Sequence, residues 1–235
     1  ANVTQAKGSH VNFTGTSLGA ASNNVPHVRF TVPPVLAGGG GASGSTTMSI
    51  VPGARFGSDW VTHDVTAGIR ALTNEYNTVA NDDLNAASAT ENVRMTNAIV
   101  TYFPPLLADK TVNSLIINVV SNTWWNPTNK LTLTSGQLMS GVQNNQMVIN
   151  NPSTLTVGSG SDASLDVSVF QNSTYLRPLI CDNGTGKVTL TKNGGGQLTL
   201  DGAVDNTYSG GTYVNEGVLT TGGTANRRYL GPGPV

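Results

Sequence analysis

The sequence has few charged residues. Only 11% of its 235 residues are Asp, Glu, Lys or Arg, against about a quarter in an ordinary soluble domain. The formal net charge is -1, which gives no electrostatic reason to expect nucleic acid or an anionic membrane as partner, since both need a basic surface. We therefore expect no nucleic-acid partner, and we expect a surface that is polar without being charged.

Cysteine and long apolar runs are also scarce. The single cysteine, Cys181, cannot form an intramolecular disulfide, so stability must come from packing and hydrogen bonds. Its neighbours Leu179 and Ile180 predict a buried, unreactive thiol. No apolar run approaches the ~20 residues of a transmembrane helix, and we expect no membrane insertion of this segment.

The helix formers Lys, Glu and Gln are scarce, whereas Gly (28 residues), Thr, Ser and Asn are abundant. From residue 112 onward, short segments alternate Leu, Val or Ile with Thr, Ser or Asn, which is typical of strands with one buried and one solvated face. Turn-forming pairs such as Asn193-Gly194 separate them. The alternating segments are 114–118, 131–134, 147–150, 155–157, 165–169, 188–191 and 198–200.

A repeated phrase favours a solenoid over a sandwich or barrel. Residues 187–191 and 197–201 both read polar, apolar, Thr, Leu, polar, and residues 130–134 are similar. Stacked coils need the same inward residue in every turn, because each coil contacts only its neighbours. We predict an apolar stack of Leu115, Ile117, Leu131, Leu133, Leu155, Val157, Val188, Leu190, Leu198 and Leu200.

The C-terminal part resembles a known repeat. The sequence reads GKVTLTKNGGGQLTLDG at residues 186–202 and NTYSGGTYVNEGVL at residues 206–219. Both are similar to the passenger-associated, or autotransporter-associated, β-strand repeat, with Tyr213 standing where Thr is commoner and 203–205 lengthening a loop. The resemblance implies a right-handed parallel β-helix in an exported bacterial surface protein.

The N-terminal part alternates less regularly. Candidate strands lie at 11–14, 27–32, 48–51, 92–96 and 99–103, interrupted by Pro33-Pro34, a Gly-rich stretch at 38–45 and Pro104-Pro105. We predict an irregular part of the β-helix at 1–110 and a regular part at 111–235, with the repeat at 186–222. A separate β domain ending near Pro105 is the alternative, and the composition of residues 64–85 favours a loop over a short helix.

Motifs with possible chemistry are weak. Residues 39–44 spell a dinucleotide fingerprint but lack the preceding strand and following helix that phosphate binding needs. Residues 158–162 imitate a single copy of a calcium-binding turn, and Asp82-Asp83 is better read as a solvated loop pair. His63-Asp64 and Asp59 with Arg55 are the tightest polar clusters. We predict no enzyme, no catalytic residue, no metal and no cofactor.

Two kinds of surface position remain as candidate sites. Trp124 and Trp125 stand among several Asn residues, and exposed aromatic rings stack on sugars while amides bond their hydroxyls. Asn2, Asn12, Asn172 and Asn183 each begin an Asn-x-Ser/Thr sequence, the acceptor for N-glycosylation.

The sequence therefore predicts a non-enzymatic scaffold of a secreted, cell-surface or extracellular protein. A glycan-binding adhesin centred on the two tryptophans is one alternative, and a polysaccharide-cleaving β-helix is another. The partners we expect are further coils of a longer chain or copies of the chain itself, with Tyr229 and Leu230 near the junction, and glycans in the adhesin alternative. End-to-end stacking of copies would build a filament.

Overall fold

A computed structural model describes residues 6–20, 24–96, 102–118, 123–125, 129–140, 147–149, 154–223 and 226–235. Within these residues the secondary structure is β, apart from two 3-10 helices at Ala80–Asp82 and Leu84–Ala86. The first nine strands are β1 Val11–Phe13, β2 Ala54–Phe56, β3 Asp59–Asp64, β4 Gly68–Ala71, β5 Asn92–Met95, β6 Tyr102–Phe103, β7 Lys110–Ile117, β8 Thr123–Trp125 and β9 Leu131–Ser140. The other nine are β10 Met147–Ile149, β11 Thr154–Val157, β12 Ala163–Val169, β13 Ser173–Leu176, β14 Leu179–Ile180, β15 Val188–Asn193, β16 Gln197–Leu200, β17 Thr212–Val214 and β18 Val218–Thr221.

Strands β5 to β18 coil into a parallel β-solenoid with three faces. Face 1 joins β5, the second halves of β7 and β9, β12, β15 and β17. Face 2 joins β6, β8, β10, β13, β16 and β18. Face 3 joins the first halves of β7 and β9 with β11 and β14. All pairings are parallel, which confirms the predicted solenoid; its right-handed sense stays a prediction.

The apolar core fills the space between the three faces. In-register residues of successive coils stack on one another, as Leu115 does on Leu138 and Leu138 on Val167. The ten residues predicted to form the stack are all buried in this core, which confirms the prediction. Burying large apolar side chains is the main favourable term in folding.

The coils differ in length although their strands stay in register. Along face 1 the stacked positions are Val93, Leu115, Leu138, Val167, Lys192 and Val214. Successive positions are 22, 23, 29, 25 and 22 residues apart. Most of the additional residues therefore lie between the strands; the exception is the register shift between Val112 and Ser114, where β9 has two more residues than β7.

The N-terminal region, residues 6–20 and 24–90, forms a separate sheet that lies on the outer side of face 1. Strand β1 pairs with β2 in parallel, whereas β2, β3 and β4 are antiparallel. An apolar cluster joins the region to β7 and β9 through Ile50, Trp60, Leu72, Tyr76, Ile116 and Met139.

The same region reaches the last strand of face 1. The Asn215 amide donates to the Gly8 carbonyl at 2.9 Å. The Arg55 guanidinium lies 4.6 Å from the Phe170 ring centroid and 3.6 Å from a Glu216 carboxylate oxygen. The N-terminal region thus covers face 1 from β7 to β17.

Several expectations for the N-terminal part need correction. No strand forms at 27–32, and at 48–51 there is only an isolated bridge of Ile50 to Ala37. The predicted loop at 64–85 contains β4 and the first 3-10 helix, and the second begins within it. Strands β5 and β6 already belong to the parallel faces, while the division at residues 110 and 111 stays a prediction.

The solvated Thr face that the alternation suggested is also largely buried. Thr156, Thr189 and Thr191 are at most 1% exposed, and Thr199 is 6% exposed. On face 1 the cause is the N-terminal region, and elsewhere neighbouring coils cover the hydroxyls, as where Thr156 Oγ1 donates to the Cys181 carbonyl at 2.9 Å. No helix in the described part of the chain has the length and hydropathy of a membrane span.

Candidate functional site

Trp124 and Trp125 lie in β8, the second strand of face 2. Trp124 is in register with Tyr102 on one side and Val148 on the other. Trp125 is in register with Phe103 and Ile149. Consecutive residues of a strand belong to opposite sides of a sheet, so the two tryptophans hold positions in two different columns.

The columns continue into strands whose side chains are described. The Trp124 column runs on through Tyr175, Thr199 and Thr220. The Trp125 column runs on through Leu176 and Leu200, which are 1% and 0% exposed and belong to the core. Trp125 therefore occupies a core register position, whereas Trp124 shares its position with Tyr175. The alternation of strand residues, read from the sequence alone, could have predicted that the two tryptophans hold positions on opposite sides of the sheet.

Face 1 carries a polar column on its covered outer side. Asn92, Ser114, Gln137, Asp166 and Thr191 are in register on successive strands. All are buried, and hydrogen bonds join neighbours along the column, such as Ser114 Oγ to Asn92 Oδ1 at 2.8 Å. No local sequence pattern indicates this column, because its members are distant from one another along the chain.

Asp166 is the one carboxyl group of that column. Gln137 Nε2 donates to it at 2.7 Å and Ser164 Oγ at 3.3 Å. Burial raises the pKa of Asp166 to about 7, against the lowering effect of these hydrogen bonds. The group forms no ion pair with a described residue, so in the folded protein its neutral form predominates below about pH 7.

A buried lysine lies near the end of β15. Lys192 has no exposed surface, and its Nζ donates to the carbonyls of Asn193 at 2.8 Å, Gly194 at 2.5 Å and Glu216 at 3.0 Å. Burial lowers the pKa of Lys192 to about 8. The three carbonyls satisfy the hydrogen-bonding capacity of the ammonium group, and these hydrogen bonds join two successive coils. Lys192 therefore has a structural role.

Two cavities adjoin the N-terminal region. A groove of about 890 Å³ is lined by Phe56, Asp64, Arg70 and Glu75 among others. Its charged side chains already have partners. Arg70 pairs with Glu75 at 2.7 Å, and Asp64 accepts from the Thr66 backbone N–H at 2.7 Å. The second cavity, of about 500 Å³, lies between residues 6–9 and face 1, beside Asp166.

The charged residues of the polar clusters noted in the sequence have other partners in the structure. Asp59 pairs with Arg94, and Arg55 with Glu216, so Asp59 and Arg55 do not form an ion pair with each other. The backbone N–H groups of residues 67 and 66 lower the pKa of Asp64. These carboxylates therefore fasten loops and strands.

The acidic turn residues have similar partners. Asp162 accepts from the Lys187 backbone N–H at 2.9 Å, and Asp83 from the Asn85 N–H at 3.0 Å. Asp82 accepts from the Thr96 N–H at 3.0 Å. Among the described residues, no three His, Cys, Asp or Glu side chains are grouped as metal ligands would be. The Gly-rich loop at 38–45 is followed by turns and not by a helix.

The free thiol and the possible glycosylation positions differ in exposure. Cys181 is half-buried, and burial raises the pKa of its thiol. Asn12 and Asn172 are exposed. Asn183 is half-buried, and its Nδ2, the atom that would carry a glycan, donates to the carbonyls of Val157 at 3.2 Å and Gly158 at 2.8 Å. Asn2 lies outside the described residues.

Comparison with known families bears on the last coils. Residues 190–220 match the model of the passenger-associated-transport-repeat family. The chain carries a passenger-associated-transport repeat. This confirms, over residues 190–220, the resemblance stated from the sequence. Neither the curated proteins nor the solved structures compared with the chain include a significant match.

The structure explains why this passenger-associated-transport repeat has glycine at two of its positions. Its two halves fold into β15 with β16, and into β17 with β18. Gly194 has a φ of +76°, and a Cβ there would lie 2.4 Å from the Val169 carbonyl oxygen. Gly217 has a φ of +73°, and its Cβ would lie 2.4 Å from the Gly194 oxygen. Only glycine fits where these corners stack.

Proposed function

We propose that this chain is a non-enzymatic scaffold segment of an exported bacterial protein, standing at the cell surface or outside the cell. The observation that carries the proposal is the repeat at 190–220, whose family is associated by name with passenger transport. Its buried lysine, glycine corners and inward leucines stack one coil on the next, and stacking is what a scaffold needs.

The surroundings of the acidic groups support the non-enzymatic part of the proposal. A hydrolase needs carboxyl groups that face substrate. Here Asp182 accepts from the backbone N–H groups of Val188 at 2.7 Å and Ser209 at 2.9 Å, and Asp201 forms a two-point pair with Arg177. Such carboxylates hold turns together and have little capacity left for catalysis.

Surface labelling tests the export. A short epitope inserted next to Val65, an 86% exposed turn residue, should be labelled by antibody on intact cells or in the medium. An epitope at buried Leu190, displayed in the same parent protein, should disturb the fold and serves as the negative control. Labelling that requires cell lysis would contradict the proposal.

Turnover assays test the absence of catalysis. The purified chain should release no reducing ends from a panel of pectin, xylan, glucan and chitin polymers. Activity that disappears in Asp166→Asn or Asp64→Asn would show that the scaffold proposal is wrong and that the fold carries an enzyme.

The last coil supports a proposal about assembly. Val214 and Val218 are 48% and 53% exposed, and Tyr229 and Leu230 pack beside the core at this end. We propose that this end pairs with a further coil of a longer chain or with another copy, and that copies of the segment form filaments. Electron microscopy and light scattering of the segment should show elongated particles that Val218→Lys shortens. A strictly monomeric segment would contradict self-assembly.

A further inference from the structure

The outer side of face 2 has an unusual chemical composition. Its six strands contain no Asp, Glu, Lys, Arg or His, although they span the solenoid from β6 to β18. In contrast, face 1 includes Arg94, Asp166 and Lys192. A sheet face that lacks ionisable groups gives a charged ligand little to bind.

Aromatic residues recur in one column of this face. Tyr102, Trp124, Val148 and Tyr175 are in register on β6, β8, β10 and β13. Adjacent strands are about 4.8 Å apart, so Trp124 and Tyr175, two strands apart, are about 10 Å from each other along the solenoid axis. The column therefore follows the axis of the coil.

The described end of the column shows which side of the sheet it occupies. Thr174 and Leu176, the neighbours of Tyr175 in β13, are 0% and 1% exposed and lie on the core side. Tyr175 itself is half-buried. Because strand residues alternate between the two sides, Tyr175 belongs to the outer side, and so do the register positions of Trp124 and Tyr102.

Among the described residues, the cation that lies beside the Tyr175 ring is paired with a carboxylate. The Arg177 guanidinium lies 5.8 Å from the Tyr175 ring centroid. Its Nε and Nη2 atoms donate to the two carboxylate oxygens of Asp201 at 3.1 Å and 3.0 Å. A two-point pair of this kind fixes the guanidinium in place, so the edge of the column is polar but has no net charge.

Uncharged hydrogen-bonding groups flank the aromatic column. Ser173 and Gln197 are in register with each other two residues before the column position, and both are half-buried. Gln197 Nε2 donates to Thr199 Oγ1 at 3.1 Å, and Thr220 follows on the last strand. Hydroxyl and amide groups thus lie near the Tyr175 position on the outer side of face 2.

We propose that the column of Tyr102, Trp124 and Tyr175 binds an uncharged polysaccharide that runs along the solenoid axis. Sugar rings have apolar C–H faces that pack on aromatic rings, and hydroxyl rims that bond with amides and hydroxyls. A neutral polymer matches a face without ionisable side chains, and a linear polymer matches binding positions repeated along an axis. This inference does not depend on export, and it assigns the site to Trp124 and not to Trp125.

Affinity electrophoresis of the purified chain tests the proposal. The gels contain one soluble polymer each: a β-1,3-glucan, a β-1,4-xylan, a mannan, or heparin as the anionic probe. At least one neutral polymer should retard the wild-type chain, and heparin should not. Trp124→Ala and Tyr175→Ala should each weaken binding about tenfold, the upper range for one aromatic contact.

Matched variants separate stacking from folding. Trp124→Phe and Tyr175→Phe keep a ring and should keep most of the binding, whereas Val65→Ser changes a distant exposed residue and should have no effect. Each variant's thermal unfolding midpoint identifies any loss of fold.

Three results would overturn the proposal. One is no retardation by any neutral polymer. Another is retardation that survives both alanine substitutions. The third is binding to heparin alone that Arg177→Ala abolishes, which would assign the face to an anionic ligand.

Discussion

Faces 1 and 2 have similar, mainly apolar inner sides and different outer sides. Inside, both present a column of apolar residues, such as Leu190 on face 1 and Leu198 on face 2, each without exposed surface. Outside, face 1 lies under the N-terminal region and holds a buried polar column with Asp166. Face 2 keeps half-buried Tyr175 and exposed Val218 there. The coil thus fixes the inner side of each face, and each outer side is available for a different task.

The largest effect is expected where the two faces are alike. Leu190→Ala and Leu198→Ala should each lower the free energy of unfolding by about 2–5 kcal/mol, through lost burial and the cavity that remains. Urea denaturation followed by circular dichroism measures it. Val214→Ala, at a 48% exposed position, is the control and should change little. A large difference between the two leucine variants would contradict a shared core.

The pH dependence of stability should separate the two regions, because two buried groups act in opposite directions. Burial, and secondly the charge of Arg55, lower the pKa of His10 from 6.5 to about 4. The unfolded state then binds a proton that the folded state does not, so stability falls as the pH decreases from 6.5 to about 4. The loss should reach about 3 kcal/mol for the N-terminal region.

Asp166 should give the opposite slope. Its pKa is raised to about 7 from 3.8, so the unfolded state loses its proton first, and stability falls as the pH increases from about 4 to 7. Urea titrations at pH 4, 5.5 and 7 measure both slopes. Asp166→Asn should remove the second slope and leave the first, and His10→Gln should do the reverse. Slopes that persist in both variants would assign the dependence to other groups.

The smallest effects test the outer sides directly. Met139→Ala, on the covered outer side of face 1, should cost about 2 kcal/mol because it opens a cavity under the N-terminal region. Val218→Ala, 53% exposed on face 2, should stay within about 0.5 kcal/mol. Thermal unfolding measures both, and equal costs would mean that both outer sides are covered.

The sequence predicted the solenoid well where its period was regular. Alternation located β9, β12, β15 and β16 and the apolar residues that stack inside, because inward positions must repeat from coil to coil. The resemblance at the C-terminal end located the repeat. These features depend on neighbouring residues only, and local patterns show them.

The N-terminal region was harder to predict, because its Gly and Pro residues break the period. One signal was available: Gly57 and Ser58 stand between β2 and β3, and a two-residue Gly-Ser connection between apolar segments is typical of a hairpin. No local sequence pattern indicated that Asp166 is buried, because the residues that cover it lie more than a hundred positions earlier in the chain. The aromatic column of face 2 depends on strand register, which places Trp124 and Tyr175 in one column although they are 51 residues apart in the sequence.

The unequal coil lengths bear on how this chain can change over time. In-register positions on face 1 stay aligned although the intervals between them range from 22 to 29 residues. Lengthening a connection between strands costs little loop entropy, since the cost grows only with the logarithm of its length. Insertions and deletions at the corners can therefore be inherited without rebuilding the core. New surface loops can arise on one coil while its neighbours keep their packing.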